Sequence, residues 1–210
     1  MSRLRYSRRQ AVEHLKSSCP EMGRFVIACG PLKLRTASDA DLFAALARAI
    51  VYQQLSGKAA GTIHGRFVAL FEQGIPTAAQ TMELDYQALR GAGLSNNKAL
   101  AVQDLAARAL DGSLPSARRA ARLSDDEVVQ KLCQVRGVGP WTAQMYLMFN
   151  LGRPDVMPAT DLGVQKGVQA VYGLDAMPAP DEVLQRTSHL APFRSAASWY
   201  LWQAADTVLL

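Results

Sequence analysis

The segment from Leu132 to Ala143 constrains the fold more than any other part of the chain. Upstream of it, Ser124 and Glu127 have the spacing of a capping box, so a helix is predicted to begin there and run into the segment. Gly137-Val138-Gly139 then makes a tight turn, and Pro140 is the residue type favoured at the first position of a helix. The segment therefore predicts two helices joined by a short loop, a hairpin over about residues 124–150.

The two glycines of this loop have two possible roles. Without a Cβ, Gly137 and Gly139 let backbone amides approach a ligand closely. These amides would lie beside the positive end of the second helix, which is a ready site for an anion such as a phosphodiester. Alternatively, the glycines serve only the turn of an ordinary helical hairpin.

The rest of the chain is also predicted to be helical. No segment keeps the alternation of a strand for long, and apolar residues recur at helical spacing. The class is therefore all-α. Further helices are predicted over residues 8–16, 20–28, 41–55, 58–71, 84–90, 96–110, 141–150, 161–172, 181–188 and 194–207.

Composition excludes several classes of protein. Hydrophobic residues make up 49% of the 210 residues and charged residues 20%, which is typical of a folded chain and not of a disordered one. No stretch approaches the roughly 18 apolar residues of a membrane span, so no membrane partner is expected. The net charge of +5 suits a polyanionic partner but is also compatible with an ordinary solvated surface.

The cysteines and histidines predict neither a disulfide framework nor a metal site. Cys19, Cys29 and Cys133 are an odd number with no close pair, so reduced thiols are expected. The three histidines share no metal-ligand spacing, and the chain has no phosphate-binding P-loop. These features predict a cytoplasmic protein, or a nuclear one if its source has a nucleus.

Four blocks of sequence, in order, resemble the helix-hairpin-helix DNA glycosylase superfamily that carries a Gly/Pro-rich loop and an aspartate (HhH-GPD). The hairpin and the block after it carry the superfamily likeness, while the first and last blocks are similar to its alkylpurine branch, the DNA-3-methyladenine glycosylase II type. The blocks are Ile50–Ser56, Leu132–Ala143, Asp155–Gly167 and the run from Pro192 to Trp202.

The resemblance implies that Asp161 is catalytic. In the superfamily, an aspartate about twenty residues beyond the hairpin stabilises the positive charge that develops on the sugar and orients or activates a water molecule. Taken from the residues alone, Asp161 fits better as an ordinary N-cap of the helix that follows. Its combination with the hairpin favours the catalytic interpretation.

Trp141 occupies the position that, by the same resemblance, holds the Schiff-base lysine of the lyase members. Because tryptophan offers no amine, the resemblance implies a monofunctional enzyme that uses water and leaves an abasic site. Trp141 could also stack on a positively charged base. Tyr52 and Phe193, with Trp199 and Trp202, are further candidates for the base pocket, and for all of these aromatic residues core packing is the alternative.

The resemblance also assigns contacts with DNA. In the alkylpurine branch, the loop that matches Gln53-Gln54-Leu55 fills the gap left by the flipped nucleotide, and Gln54 or Leu55 would be this wedge. Gly137, Gly139, Gln53 and Thr142 would also contact DNA, whereas Lys58 and Thr62 would either touch phosphate or be plain surface. By the same resemblance, the backbone carbonyls of Val135 and Val138 would hold a monovalent cation, Na⁺ or K⁺. The resemblance implies no other cofactor.

Together these features predict a two-lobed helical enzyme. Residues 36–150 form one lobe, and residues 1–35 with 151–210 form a second lobe that carries Asp161, with a cleft between them. The predicted function is hydrolytic removal of alkylated purines, 3-methyladenine first among them, from damaged double-stranded DNA in base excision repair, by a monomer. The alternatives are a glycosylase for a neutral mispaired or deaminated base and a non-enzymatic helix-hairpin-helix DNA-binding module.

Overall fold

The computed structural model of the protein describes residues 4–37 and 41–207. Within this described part the chain forms thirteen α-helices and two 3-10 turns and no strand, which confirms the all-α prediction. Residues 1–3, 38–40 and 208–210, which the two predicted lobes include, lie outside the described residues. None of the described helices has the length and apolar character needed to cross a membrane.

The chain divides into two compact units. The terminal unit is Met1–Ser38 with Leu147–Leu210, and the central unit is Asp39–Tyr146. The terminal unit contains α1 (Arg8–Ser18), α2 (Pro20–Cys29), α11 (Leu162–Tyr172), α12 (Pro180–Arg186) and α13 (Arg194–Thr207). The central unit contains α3 (Leu42–Tyr52), α4 (Gly57–Val68), α5 (Ala78–Glu83), α6 (Tyr86–Gly91), α7 (Asn96–Leu110), α8 (Ala117–Ala120), α9 (Asp125–Leu132) and the start of α10 (Pro140–Phe149).

The core of the central unit forms where α3 packs on α4 and α7. Ile50, Phe67 and Leu105 are fully buried there. Each such side chain contributes roughly 1.5–3 kcal/mol through the removal of apolar surface from water. This packing fixes the C-terminal end of α3, from which the loop of residues 53–55 emerges.

The core of the terminal unit centres on the packing of α11 against α13. A Cβ at Gly167 would overlap the backbone carbonyl of Leu201, so only glycine lets the two helices come this close. Tyr200, on α13, is fully buried and donates its hydroxyl proton to the carbonyl of Gly30 at 2.8 Å. This close approach brings the side chains of α13 next to the first turn of α11.

The structure differs from the helix predictions at several points, and the helix predicted over residues 58–71 ends at Val68. The short helices α5 and α8 were not predicted, although Thr77 and Ser116 cap their N-termini. The helix predicted to run from residue 41 to residue 55 ends at Tyr52, because Gln53 leaves the helical conformation with ψ of 135° and Gln54 follows with a left-handed φ of 55°. The sequence does not signal this end, since the residue there is not the glycine that left-handed positions favour.

Candidate active site

Asp161 is the N-cap of α11 in the terminal unit. Its Oδ1 accepts a hydrogen bond from the backbone N–H of Val164 at 2.9 Å and a second from the indole Nε1 of Trp202 at 2.8 Å. The half-buried carboxylate therefore lies at the positive end of the dipole of α11. The N-cap and the catalytic interpretation of Asp161 are thus compatible, because one carboxylate can serve both roles.

Trp202 is held firmly beside this carboxylate. Its ring stacks on Phe149, with centroids 6.0 Å apart and planes 18° from parallel. A Cβ at Gly163 would lie 2.8 Å from Cδ1 of Trp202 and 3.1 Å from Oδ1 of Asp161, so glycine leaves room for this contact. Sequence reasoning treated Trp202 as a pocket or core aromatic and missed its bond to Asp161, since nothing local links residues 41 positions apart.

The segment that leads to Asp161 is anchored on the start of α13. Arg194 donates from Nε and Nη2 to the two carboxylate oxygens of Asp155, at 2.7 and 2.8 Å. The hydrogen bonds from Arg194 hold the pKa of Asp155 below its ordinary value. Ser195 accepts from the backbone N–H of Val156 at 3.0 Å, and Ser198 donates to the carbonyl of Val156 at 3.1 Å. Sequence reasoning missed this anchor too.

The predicted hairpin is present in the central unit. The capping box of Ser124 and Glu127 is confirmed, and Pro140 begins α10. Gly137 has φ of 74°, a conformation that glycine adopts without steric cost. A Cβ at Gly139 would meet no atom of the described chain within 4 Å, so the space beside this residue is open.

The loop Gln53-Gln54-Leu55 is joined to the hairpin. Nε2 of Gln53 donates to the carbonyl of Gly137 at 2.9 Å. Gln54 is exposed in its left-handed conformation, and the side chain of Leu55 is also exposed. A non-glycine residue in this conformation costs about 1–2 kcal/mol, a strain that proteins often keep at functional positions. The Gln53 bond to the hairpin was not foreseen from the sequence.

The aromatic candidates lie in different surroundings. Trp141, in the first turn of α10, is 43% exposed. The half-buried Tyr52 ring lies 4.1 Å from the guanidinium carbon of Arg48 and contacts His64 edge-on. Burial, together with the charge of Arg48, lowers the pKa of His64. Among these aromatic side chains, Trp141 has the open surface that a pocket residue needs.

The remaining predicted residues differ in their exposure. Phe193 contacts the rings of Tyr6 and His14 at the edge of the terminal core, a setting that favours its packing role. Trp199 packs edge-on against Tyr200. Thr142 is 5% exposed, which does not favour a direct contact with DNA. Lys58 and Thr62 are exposed on α4.

The cation prediction involves backbone carbonyls of the hairpin. The carbonyl of Val135 accepts the N–H of Val138 at 3.0 Å, which closes the turn. Among the residues that the structure describes, no group of three or more His, Cys, Asp or Glu side chains could hold a metal ion. The monovalent cation at the carbonyls of Val135 and Val138 stays a prediction.

Comparisons with known proteins cover most of the chain. Residues 47–192 match the family described as HhH-GPD superfamily base excision DNA repair protein. DNA-3-methyladenine glycosylase 1 of Schizosaccharomyces pombe is 38% identical over 161 residues, which are 76% of this chain and 71% of the relative. The alkylbase DNA glycosidase-like protein mag2 of the same yeast is 32% identical over 197 residues, covering 93% of this chain and 92% of the relative.

Solved structures agree in fold. The S. pombe 3-methyladenine DNA glycosylase Mag1, in complex with abasic DNA, has a TM-score of 0.84 and 34% identity, over 94% of this chain and 97% of that one. A DNA-3-methyladenine glycosidase from Bacillus halodurans has a TM-score of 0.85 and 31% identity, over 95% of this chain and 90% of that one.

Proposed function

Since this chain belongs to the HhH-GPD superfamily of base excision DNA repair proteins, we propose that it is a monofunctional DNA glycosylase that excises alkylated purines from duplex DNA. The observation that carries the proposal is the carboxylate of Asp161, fixed by Val164 and Trp202 at the start of α11. A protein that only binds DNA gains nothing from a carboxylate near phosphate. The similarity of this chain to 3-methyladenine DNA glycosylases favours an alkylated purine over a neutral base as the substrate.

The chemistry assigned to Asp161 is electrostatic and hydrolytic. The bond between C1′ of the sugar and the purine nitrogen breaks, and its electron pair leaves with the base. Positive charge grows on the sugar, and a carboxylate held nearby stabilises it. Water then adds at C1′ and loses a proton, which leaves an abasic site. Because an alkylated purine is already cationic, it leaves as a neutral base and does not depend on a strong general acid.

Trp141 supplies the second part of the proposal. No amine stands at this position, so no Schiff base forms there and the strand is not cleaved by this route. The exposed indole face can stack on a cationic base, an interaction worth roughly 0.5–2 kcal/mol. Borohydride treatment during turnover is therefore expected to trap no covalent adduct.

The central unit provides the proposed grip on double-stranded DNA. Amides at Gly137–Gly139 would bind a phosphate, with Gln54 or Leu55 filling the gap left by the flipped base. The carbonyls of Val135 and Val138 would hold Na⁺ or K⁺ at this turn. We propose that the protein acts as a monomer in the cytoplasm, or in the nucleus if its source has one.

The test of this function is base release from methylated duplex DNA by the wild type and by Asp161→Asn. Asparagine caps a helix as well as aspartate and still accepts hydrogen bonds, so the fold is retained while the charge is lost. Release of 3-methyladenine, measured by chromatography, is expected to fall at least about 100-fold. Asp175→Asn, an exposed change in the same unit, is the matched control. Equal release by wild type and Asp161→Asn would show that Asp161 is not catalytic.

A further inference from the structure

Lys98 binds the C-terminal end of another helix. It lies in the first turn of α7, and its half-buried Nζ donates to the carbonyl of Val51 at 2.8 Å and to the carbonyl of Gln53 at 2.7 Å. Those carbonyls belong to the last turn and the C-cap of α3, which lack partners within their own helix. The lysine thus satisfies two backbone groups directly before the exposed Gln54.

The position of Lys98 is unfavourable for its own helix. A positive charge in the first turn of α7 opposes the helix dipole, whereas the same charge at the end of α3 is favoured. Burial also lowers the pKa of Lys98, which records the loss of water around the ammonium group. The benefit of this lysine is therefore found at α3 and not at α7.

Gln53 extends the contact to the hairpin. Its backbone carbonyl accepts from Lys98, while its side-chain amide donates to the carbonyl of Gly137 at 2.9 Å. Gln54, the next residue, has its backbone in the strained left-handed region. A chain of hydrogen bonds thus runs from Lys98 through Gln53 to the loop that would bind phosphate.

We infer that Lys98 is a positioning residue that holds the 53–55 loop in the conformation that inserts into DNA opposite the flipped base. This inference rests on the proposed glycosylase function and on the wedge role of that loop. Lys98 acts through the loop and does not itself touch DNA, because two of its three ammonium protons are directed at backbone carbonyls. A direct phosphate contact by Lys98 is the competing explanation.

The first experiment compares Lys98→Met with wild type in single-turnover excision on two duplexes. One has the lesion opposite a normal base, and the other has it opposite an abasic site, where flipping costs less. Loss of two charge-assisted hydrogen bonds is expected to slow excision of the paired lesion by roughly 10- to 100-fold. Excision opposite the abasic site is expected to stay within about threefold of wild type. Lys16→Met removes an equal charge at an exposed position of α1 and serves as the control.

A second comparison separates positioning from direct contact. In a background carrying Gln54→Ala and Leu55→Ala, Lys98→Met should cause no further loss, since the loop through which it acts has no wedge. The slope of DNA affinity against salt should also be unchanged. A slope shallower by about 0.9 would indicate a lost phosphate contact and overturn the inference. An equal loss on both duplexes, or a full loss in the wedge-less background, would overturn it as well.

A third measurement does not depend on catalysis. Lys98→Met should speed amide hydrogen exchange in residues 53–56 of the free protein, and unchanged exchange there would refute the positioning role. If wild type released no base, the proposed function would fail while this exchange result would still report on the loop. Should Lys98→Met fail to fold, Lys98→Arg retains the charge but changes the geometry. Lys98→Arg is then expected to slow excision of the paired lesion more than excision opposite the abasic site, by a smaller factor than Lys98→Met. Equal rates on the two duplexes would refute the inference.

Discussion

The replacement Trp202→Phe tests how the candidate catalytic carboxylate is held. It removes the indole N–H that donates to Oδ1 of Asp161 at 2.8 Å and keeps an aromatic ring to stack on Phe149. The bond from Val164 to the same oxygen remains, so Asp161 still caps α11. The variant therefore isolates the hydrogen bond from Trp202 to the carboxylate.

The size of the effect follows from the charge of the acceptor. A hydrogen bond to a charged group contributes about 1.5–3 kcal/mol, and every 1.36 kcal/mol corresponds to about tenfold in rate. If the bond is needed to aim the carboxylate at the sugar, the single-turnover rate falls roughly 10- to 150-fold. The free energy of unfolding falls by about 1–3 kcal/mol, since the smaller ring also packs less well.

The assay measures release of alkylated base from methylated duplex DNA under single-turnover conditions, with urea denaturation of the same samples. Trp199→Phe changes a half-buried tryptophan on the same helix that contacts Tyr200, and it is expected to keep its rate. In an Asp161→Asn background, Trp202→Phe should have little further effect on rate. A wild-type rate for Trp202→Phe would refute the role assigned to this bond.

Two further predictions concern the hairpin and the Asp155 anchor. Gly139→Ala places a methyl group in open space, so the free energy of unfolding should stay within about 0.5–1 kcal/mol of wild type. Affinity for a DNA duplex, measured by fluorescence anisotropy, should fall severalfold. Unchanged affinity would show that this amide does not contact DNA. Since Arg194 lowers the pKa of Asp155 in the folded state, this carboxyl stabilises the fold above its unfolded pKa of about 3.9 and loses that contribution as pH falls through the folded value. Urea denaturation between pH 6 and pH 3 should therefore show a shallower loss of stability for Asp155→Asn than for wild type, and parallel curves would contradict the assignment.

The parts of the fold that were predictable from sequence are those with local signals. The capping box at Ser124 and the proline that opens α10 are fixed by short-range chemistry, and both are present. Asp161 was identified as both a helix cap and a candidate catalytic group, and the structure places it at the cap.

The parts that were not predictable depend on contacts between distant residues. The Lys98 bonds to α3 join positions more than 40 residues apart, and the Asp155–Arg194 pair joins positions 39 apart. No periodicity marks such partners, because each residue fits equally well on a solvated surface. The early end of α3 is equally unmarked, since Gln53 leaves the helical conformation and the left-handed Gln54 follows without the usual glycine, while Lys98 of α7 binds the freed carbonyls.

The two glycines on one face of α11 limit how the site can change during evolution. Gly163 lies against Trp202 and Gly167 against the backbone of Leu201, one turn further along. Any larger side chain at Gly167 would push α13 away from α11, and Trp202 would move with α13 out of reach of Asp161. A lineage could therefore vary the exposed face of α11 freely, whereas a substitution at Gly167 would disturb the proposed catalytic carboxylate without altering Asp161 itself.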